Sequence, residues 1–123
     1  MEYVFVGLGG VFGALSRYGL SKWVGQRWRG DFPLATFLIN ITGSFVMGFL
    51  YVLFSRASAE LVFLKHLTTT GFLGAYTTYS TFSYEIIGLI EDGEKSTAVK
   101  YFLTSIIVGL VSAYAGIVLA GQL

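Results

Sequence analysis

The sequence predicts an all-α membrane protein of four transmembrane helices, the third broken near its middle. Three observations carry that prediction. Of 123 residues, 54% are hydrophobic and 12% charged, and mean hydropathy is +0.71; soluble domains carry about 25% charged residues. The charges gather in short patches between long charge-free runs, and the runs approach the roughly 20 apolar residues that cross a bilayer. The third run is interrupted by Gly71–Glu85, GFLGAYTTYSTFSYE, where Thr77, Thr78, Ser80, Thr81 and Ser83 place five hydroxyls in seven positions. Broken backbone at membrane depth is tolerated only where it is buried in protein or lines a polar cavity. That stretch is therefore the expected functional centre.

The first span is expected over residues 3–24. Met1-Glu2-Tyr3 lacks the basic leader of a signal peptide, so this run is read as a retained helix. Gly9 and Gly13 form a GxxxG pair that lets another backbone approach closely. Arg17 reads either as an end-of-helix anchor or as part of an electropositive vestibule. Trp23 and Trp28, with Lys22, Arg27 and Arg29, form an interfacial belt. Pro33 suits the opening of the second span, residues 33–54, because a first helical turn tolerates proline. Asn40 lies inside that span and needs partners on both its oxygen and its nitrogen. It reads either as interhelical glue or as lining of a polar path. Ser44 and Gly48 add a small-residue face suited to packing.

Ser55–Glu60 is a short polar loop, and the third span follows over residues 61–90. His66, the only histidine, lies beside Lys65 at the start of that span and reads as interfacial. Glu91-Asp92-Gly93-Glu94-Lys95 forms the next turn, and the fourth span covers residues 98–119. Tyr101, Ser105 and Ser112 fall on one face of it, with Gly109, and should meet a partner helix or an aqueous path. Alternating crossings divide the basic residues two against six, which favours both termini outside. Residues 1–123 read as one transmembrane domain, too small for a sizeable core of its own, so oligomerisation is expected.

The chemistry open to such a chain is narrow. With no cysteine, disulfides and thiolate sites are excluded. No His–Asp set activates a nucleophile, no intramembrane carboxylates pair, and no glycine-rich loop follows a strand, so an enzyme is not expected. The composition carries no nucleic-acid signal either. An ion path fits better. A helix break frees carbonyls that suit a hard cation such as Na⁺ on one side, and N–H groups that suit an anion on the other. Tyr79 and Phe82, three apart, read as core packing or as ring edges presented to an anion. Asn40 and the hydroxyls of Ser80, Thr81 and Ser83 would complete a donor set.

The segments GGVFGALSRY (9–18), PLATFLINITGSFVMG (33–48) and TTGFLGAYTTYSTFSYE (69–85) resemble the CrcB/Fluc fluoride channel family over essentially the whole length. The resemblance implies passive fluoride export across the cell membrane by an antiparallel, dual-topology dimer with two pores and a structural Na⁺ at its interface. By motif, Gly74 and Thr77 resemble the positions whose carbonyls hold Na⁺. Tyr79 and Phe82 match the two pore phenylalanines and Asn40 the pore asparagine. Ser80, Thr81, Tyr101 and Ser105 are similar to the polar track, while Arg17 and Glu85 match charges near the vestibules. The chain departs from the pattern at Tyr79, Ala75, Ala35 and Gly109. The uneven charge split adds an oppositely oriented paralogue to a second copy as a candidate partner. The rival classes are a small drug/proton antiporter, which needs a carboxylate embedded in the first span where only Glu2 exists, and an assembly subunit, which leaves the hydroxyl-rich break unexplained.

Overall fold

The computed structural model describes residues 2–123, and every regular element among them is helical. Helix α1 spans Glu2–Arg27, α2 Leu34–Arg56 and α6 Lys95–Gly121. Each is long and apolar enough to cross a membrane. All three run a few residues beyond the charge-free windows: α1 and α2 end on Arg27 and Arg56, and α6 opens on Lys95. Pro33 sits just outside α2 as its N-cap, where its fixed φ and missing N–H cost the helix nothing.

Between α2 and α6 the chain is segmented. A short 3₁₀ turn, Ala59–Leu61, leads into α3, Val62–Lys65. A π-helical stretch follows over His66–Leu73, then one α turn, α4, Gly74–Tyr76. The helix stops at Thr77, whose φ of −79° and ψ of 157° are extended, and resumes as α5, Ser80–Glu91. The expected break therefore exists, but it occupies Thr77–Tyr79, and Gly74 belongs to the helix before it. Its neighbour Gly71 serves packing. A Cβ there would crowd the Val6 carbonyl and the Gly9 backbone.

Two pairs of helices run side by side in the same direction. Glu2 meets His66 at 3.8 Å, Phe5 meets Phe63 at 5.4 Å between ring centroids, and Gly13 lies on Phe72, so α1 ascends with the α3–α4 segment. Likewise Phe32 meets Tyr101, Ile41 meets Ser112, and Phe45 and Phe49 meet Gly116, so α2 and α6 share a direction. Glycines set both seams. A Cβ on Gly9 or Gly13 would run into the Leu67 or Phe72 backbone, and one on Gly48 or Gly116 into the Ala113 or Phe45 carbonyl. These contacts give the GxxxG and small-residue patterns their physical content. The fully buried core is thin, with Tyr101, Ile39 and Leu73 its largest members, and most large apolar side chains face outward.

Candidate functional site

The break at Thr77–Tyr79 is held from α2. Asn40 donates from Nδ2 to the Thr78 carbonyl at 3.1 Å and accepts the Thr78 N–H on Oδ1 at 3.0 Å. Both halves of the amide are thereby used on the backbone of one residue, Thr78, whose N–H and C=O the break has deprived of helical partners. One Nδ2 hydrogen remains. The Thr78 hydroxyl, itself buried, donates to Thr81 Oγ1 at 3.1 Å and accepts the Thr81 N–H at 3.3 Å.

These diversions leave acceptors free. In an uninterrupted helix the Gly74 carbonyl would take the Thr78 N–H and the Thr77 carbonyl the Thr81 N–H. Among the described residues, no N–H or O–H donates to either carbonyl. Gly74 is exposed on the single chain, so this acceptor lies at a surface. A pair of carbonyl oxygens is a hard-cation donor set of the kind that Na⁺ takes. No cluster of three or more histidine or acidic side chains offers a competing metal site among the described residues.

Beside the break lies an open groove of about 860 Å³ between α2, α5 and α6. Asn40, Ser44, Tyr79, Phe82, Ser83 and Ser105 all reach it. Ser105 Oγ is buried and has no hydrogen-bond partner among the described residues, a state that costs about 1–3 kcal/mol unless a ligand or water supplies the contact. The Tyr79 and Phe82 rings lie 6.3 Å apart and tilted by 41°, and Tyr79 is 81% exposed. Phe82 is wedged more firmly, 5.0 Å from the Tyr101 ring and stacked on Phe102 at 6.3 Å. No charged side chain lines the groove.

The remaining expected residues divide. Tyr101 is fully buried behind Phe82, in edge contact with Phe32, and donates to Glu85 Oε1 at 3.1 Å. Replacing Tyr101 by phenylalanine keeps the packing but removes that donor. Thermal melting in detergent should report a loss of about 1–3 kcal/mol, and an unchanged melt would show that the pair contributes nothing. Ser80 and Thr81 are exposed and lie outside the groove's lining, with Thr81 engaged by Thr78. Arg17 sits on α1, apart from the groove lining. Ser112, on the same α6 face, holds the Ile41 carbonyl at 3.0 Å and so packs α6 on α2. The residue that sequence reasoning passed over is Thr78. Its signal was present, a threonine at the centre of the hydroxyl run, but nothing in the spacing singles it out from its neighbours.

Comparison with known proteins gives one consistent result. The family profile described as "CrcB-like protein, Camphor Resistance (CrcB)" matches residues 4–117. The chain is 45% identical over 123 residues to the "Fluoride-specific ion channel FluC 2" of Moorella thermoacetica, covering all of this chain and 99% of that one. It is 48% identical over 120 residues to "Fluoride-specific ion channel FluC 1" of Carboxydothermus hydrogenoformans, covering 98% of this chain and 94% of the relative. A further "FluC 2", from Geobacillus kaustophilus, is 45% identical over 116 residues, covering 94% and 90%.

Proposed function

Because the chain belongs to the CrcB-like family, whose members matched above carry the name fluoride-specific ion channel, we propose that it conducts fluoride passively across the cell membrane. The observation that carries this reading is the uncharged, donor-lined groove at the helix break. A small anion leaves water only where many donors replace its shell. The free Nδ2 hydrogen of Asn40, the unpartnered Ser105 hydroxyl, the Ser83 hydroxyl and the positive edges of Tyr79 and Phe82 are such donors. The absence of charge in the lining keeps the anion from being trapped, since conduction needs binding weak enough to leave. Arg17 and Glu85 act at the approaches, with Tyr101 holding Glu85, while Ser80 and Thr81, outside the groove's lining, are assigned to the polar track by the family motif alone.

The α3–α5 segment is the fourth crossing, and it requires a partner. Unpaired carbonyls at an exposed Gly74 cannot face lipid, so the break must be covered by protein. A second copy in antiparallel orientation supplies that cover and makes two pores. Its Gly74 and Thr77 carbonyls would join those of the first chain around a structural Na⁺. The numbered names of the relatives, FluC 1 and FluC 2, and the uneven basic charge make a paralogue the second candidate for that partner. The antiporter reading finds no embedded acid in α1, where Glu2 is exposed and paired with His66.

Liposomes holding only this protein should release fluoride on a passive gradient and retain chloride. Well-folded protein without fluoride flux would overturn the self-sufficient channel and favour the paralogue pair. For the cation, replacing Na⁺ by a larger monovalent ion should lower the dimer's melting temperature. An identical melt in both ions would remove Gly74 and Thr77 as ligands.

A further inference from the structure

We propose that Asn40 and Thr78 are positioning residues of the cation site, each keeping one carbonyl available by diverting the N–H that would otherwise claim it. The inference rests on the sodium reading above and adds to it which side chains make the site. An α-helical carbonyl four residues before an N–H is that donor's default partner. At Gly74 the default partner is the Thr78 N–H, and Asn40 Oδ1 takes it at 3.0 Å. At Thr77 it is the Thr81 N–H, and Thr78 Oγ1 takes it at 3.3 Å. The chain on either side is helical, α4 before and α5 after, so closing the ladder requires releasing those two hydrogen bonds and turning Thr77 from its extended ψ of 157° to a helical one. Thr78 Oγ1 sits on a residue only 8% exposed and also donates to Thr81 Oγ1, which fixes the hydroxyl as an acceptor toward the backbone.

The arrangement also joins the two ionic functions. Asn40 lines the groove and sets the break through its amide oxygen and nitrogen, with one N–H left over. Its geometry in the groove is thus set by the peptide whose neighbours would hold the cation.

The test measures the melting of the detergent-solubilised dimer against Na⁺ concentration. Thr78→Val keeps the side-chain shape and loses the hydroxyl, and Asn40→Leu loses both amide contacts. Each should shift the Na⁺ midpoint upward by about tenfold or more, and Thr78→Ser should restore the wild-type midpoint. Phe82→Ile, which changes the groove and its Tyr101 and Phe102 contacts but neither of the two hydrogen bonds at the break, should leave the midpoint unchanged while lowering flux. A wild-type Na⁺ response in both Thr78→Val and Asn40→Leu would overturn the proposal. If Asn40→Leu does not assemble, Thr78→Val and its serine rescue decide the matter alone. A wild-type dimer indifferent to Na⁺ would remove the sodium reading itself, and this inference with it.

Discussion

Replacing Phe82 by isoleucine should cut fluoride efflux from liposomes by about tenfold or more, which corresponds to about 1.4 kcal/mol of barrier. The substitution preserves apolar bulk but removes the groove ring that lies closest to the buried Tyr101. Phe82 packs against Tyr101 at 5.0 Å and Phe102 at 6.3 Å, so two neighbouring rings restrict its rotation. Tyr79 is 81% exposed in the single chain and contacts Phe82 only at 6.3 Å, so it cannot take over that role from its own side of the groove. The expected profile is low flux with an unaltered elution volume on size-exclusion chromatography. Wild-type flux would take Phe82 out of the conduction path.

Gly13→Ala should lower the yield of assembled protein far more than Gly10→Ala, although the two residues are three apart on α1. A Cβ at Gly13 would overlap the Phe72 carbonyl, whereas one at Gly10 would meet only ordinary contacts at 3.8 and 3.9 Å. Overpacking costs about 1–3 kcal/mol when side chains can yield. At Gly13 the obstacle is backbone, so the cost should lie at or above the upper end of that range. The comparison is read as monodisperse yield and melting temperature in detergent. Equal behaviour of the two variants would show that the α1 seam is looser than the contacts imply.

Much of this was legible beforehand. The charge-free runs gave α1, α2 and α6, and the hydroxyl run inside an apolar span gave the break. GxxxG gave the face of α1 that meets its neighbour. What stayed illegible has a common physical cause. The π-helical stretch is a change in hydrogen-bond partner, not in composition, and His66–Leu73 reads as ordinary apolar helix. The glycines Gly71 and Gly74 drew the expected break too early, because glycine signals close approach as readily as interruption; at Gly71 the close approach is to α1. Asn40 showed its need for two partners, but not that the backbone of one residue 38 positions away supplies both. The exposed Ser80 and the part-buried Tyr101–Glu85 pair likewise depend on how α5 rotates after the break, which periodicity counted from the third span's start does not determine.

The π-helical stretch has a consequence for how this protein tolerates changes in length. Its bonds reach one residue further than those of an α-helix, so His66–Leu73 holds a residue more than an α-helix would need there. A single-residue deletion within it can be absorbed by local reversion to α geometry, leaving α3 before it and the break after it in register. The same deletion within α6 has no such reserve: it would turn every later side chain by about 100° and carry Ser112 and Gly116 off the α2 seam. Among chains of this architecture, gaps in alignment should therefore gather at one membrane-depth position, inside a helix and away from the loops.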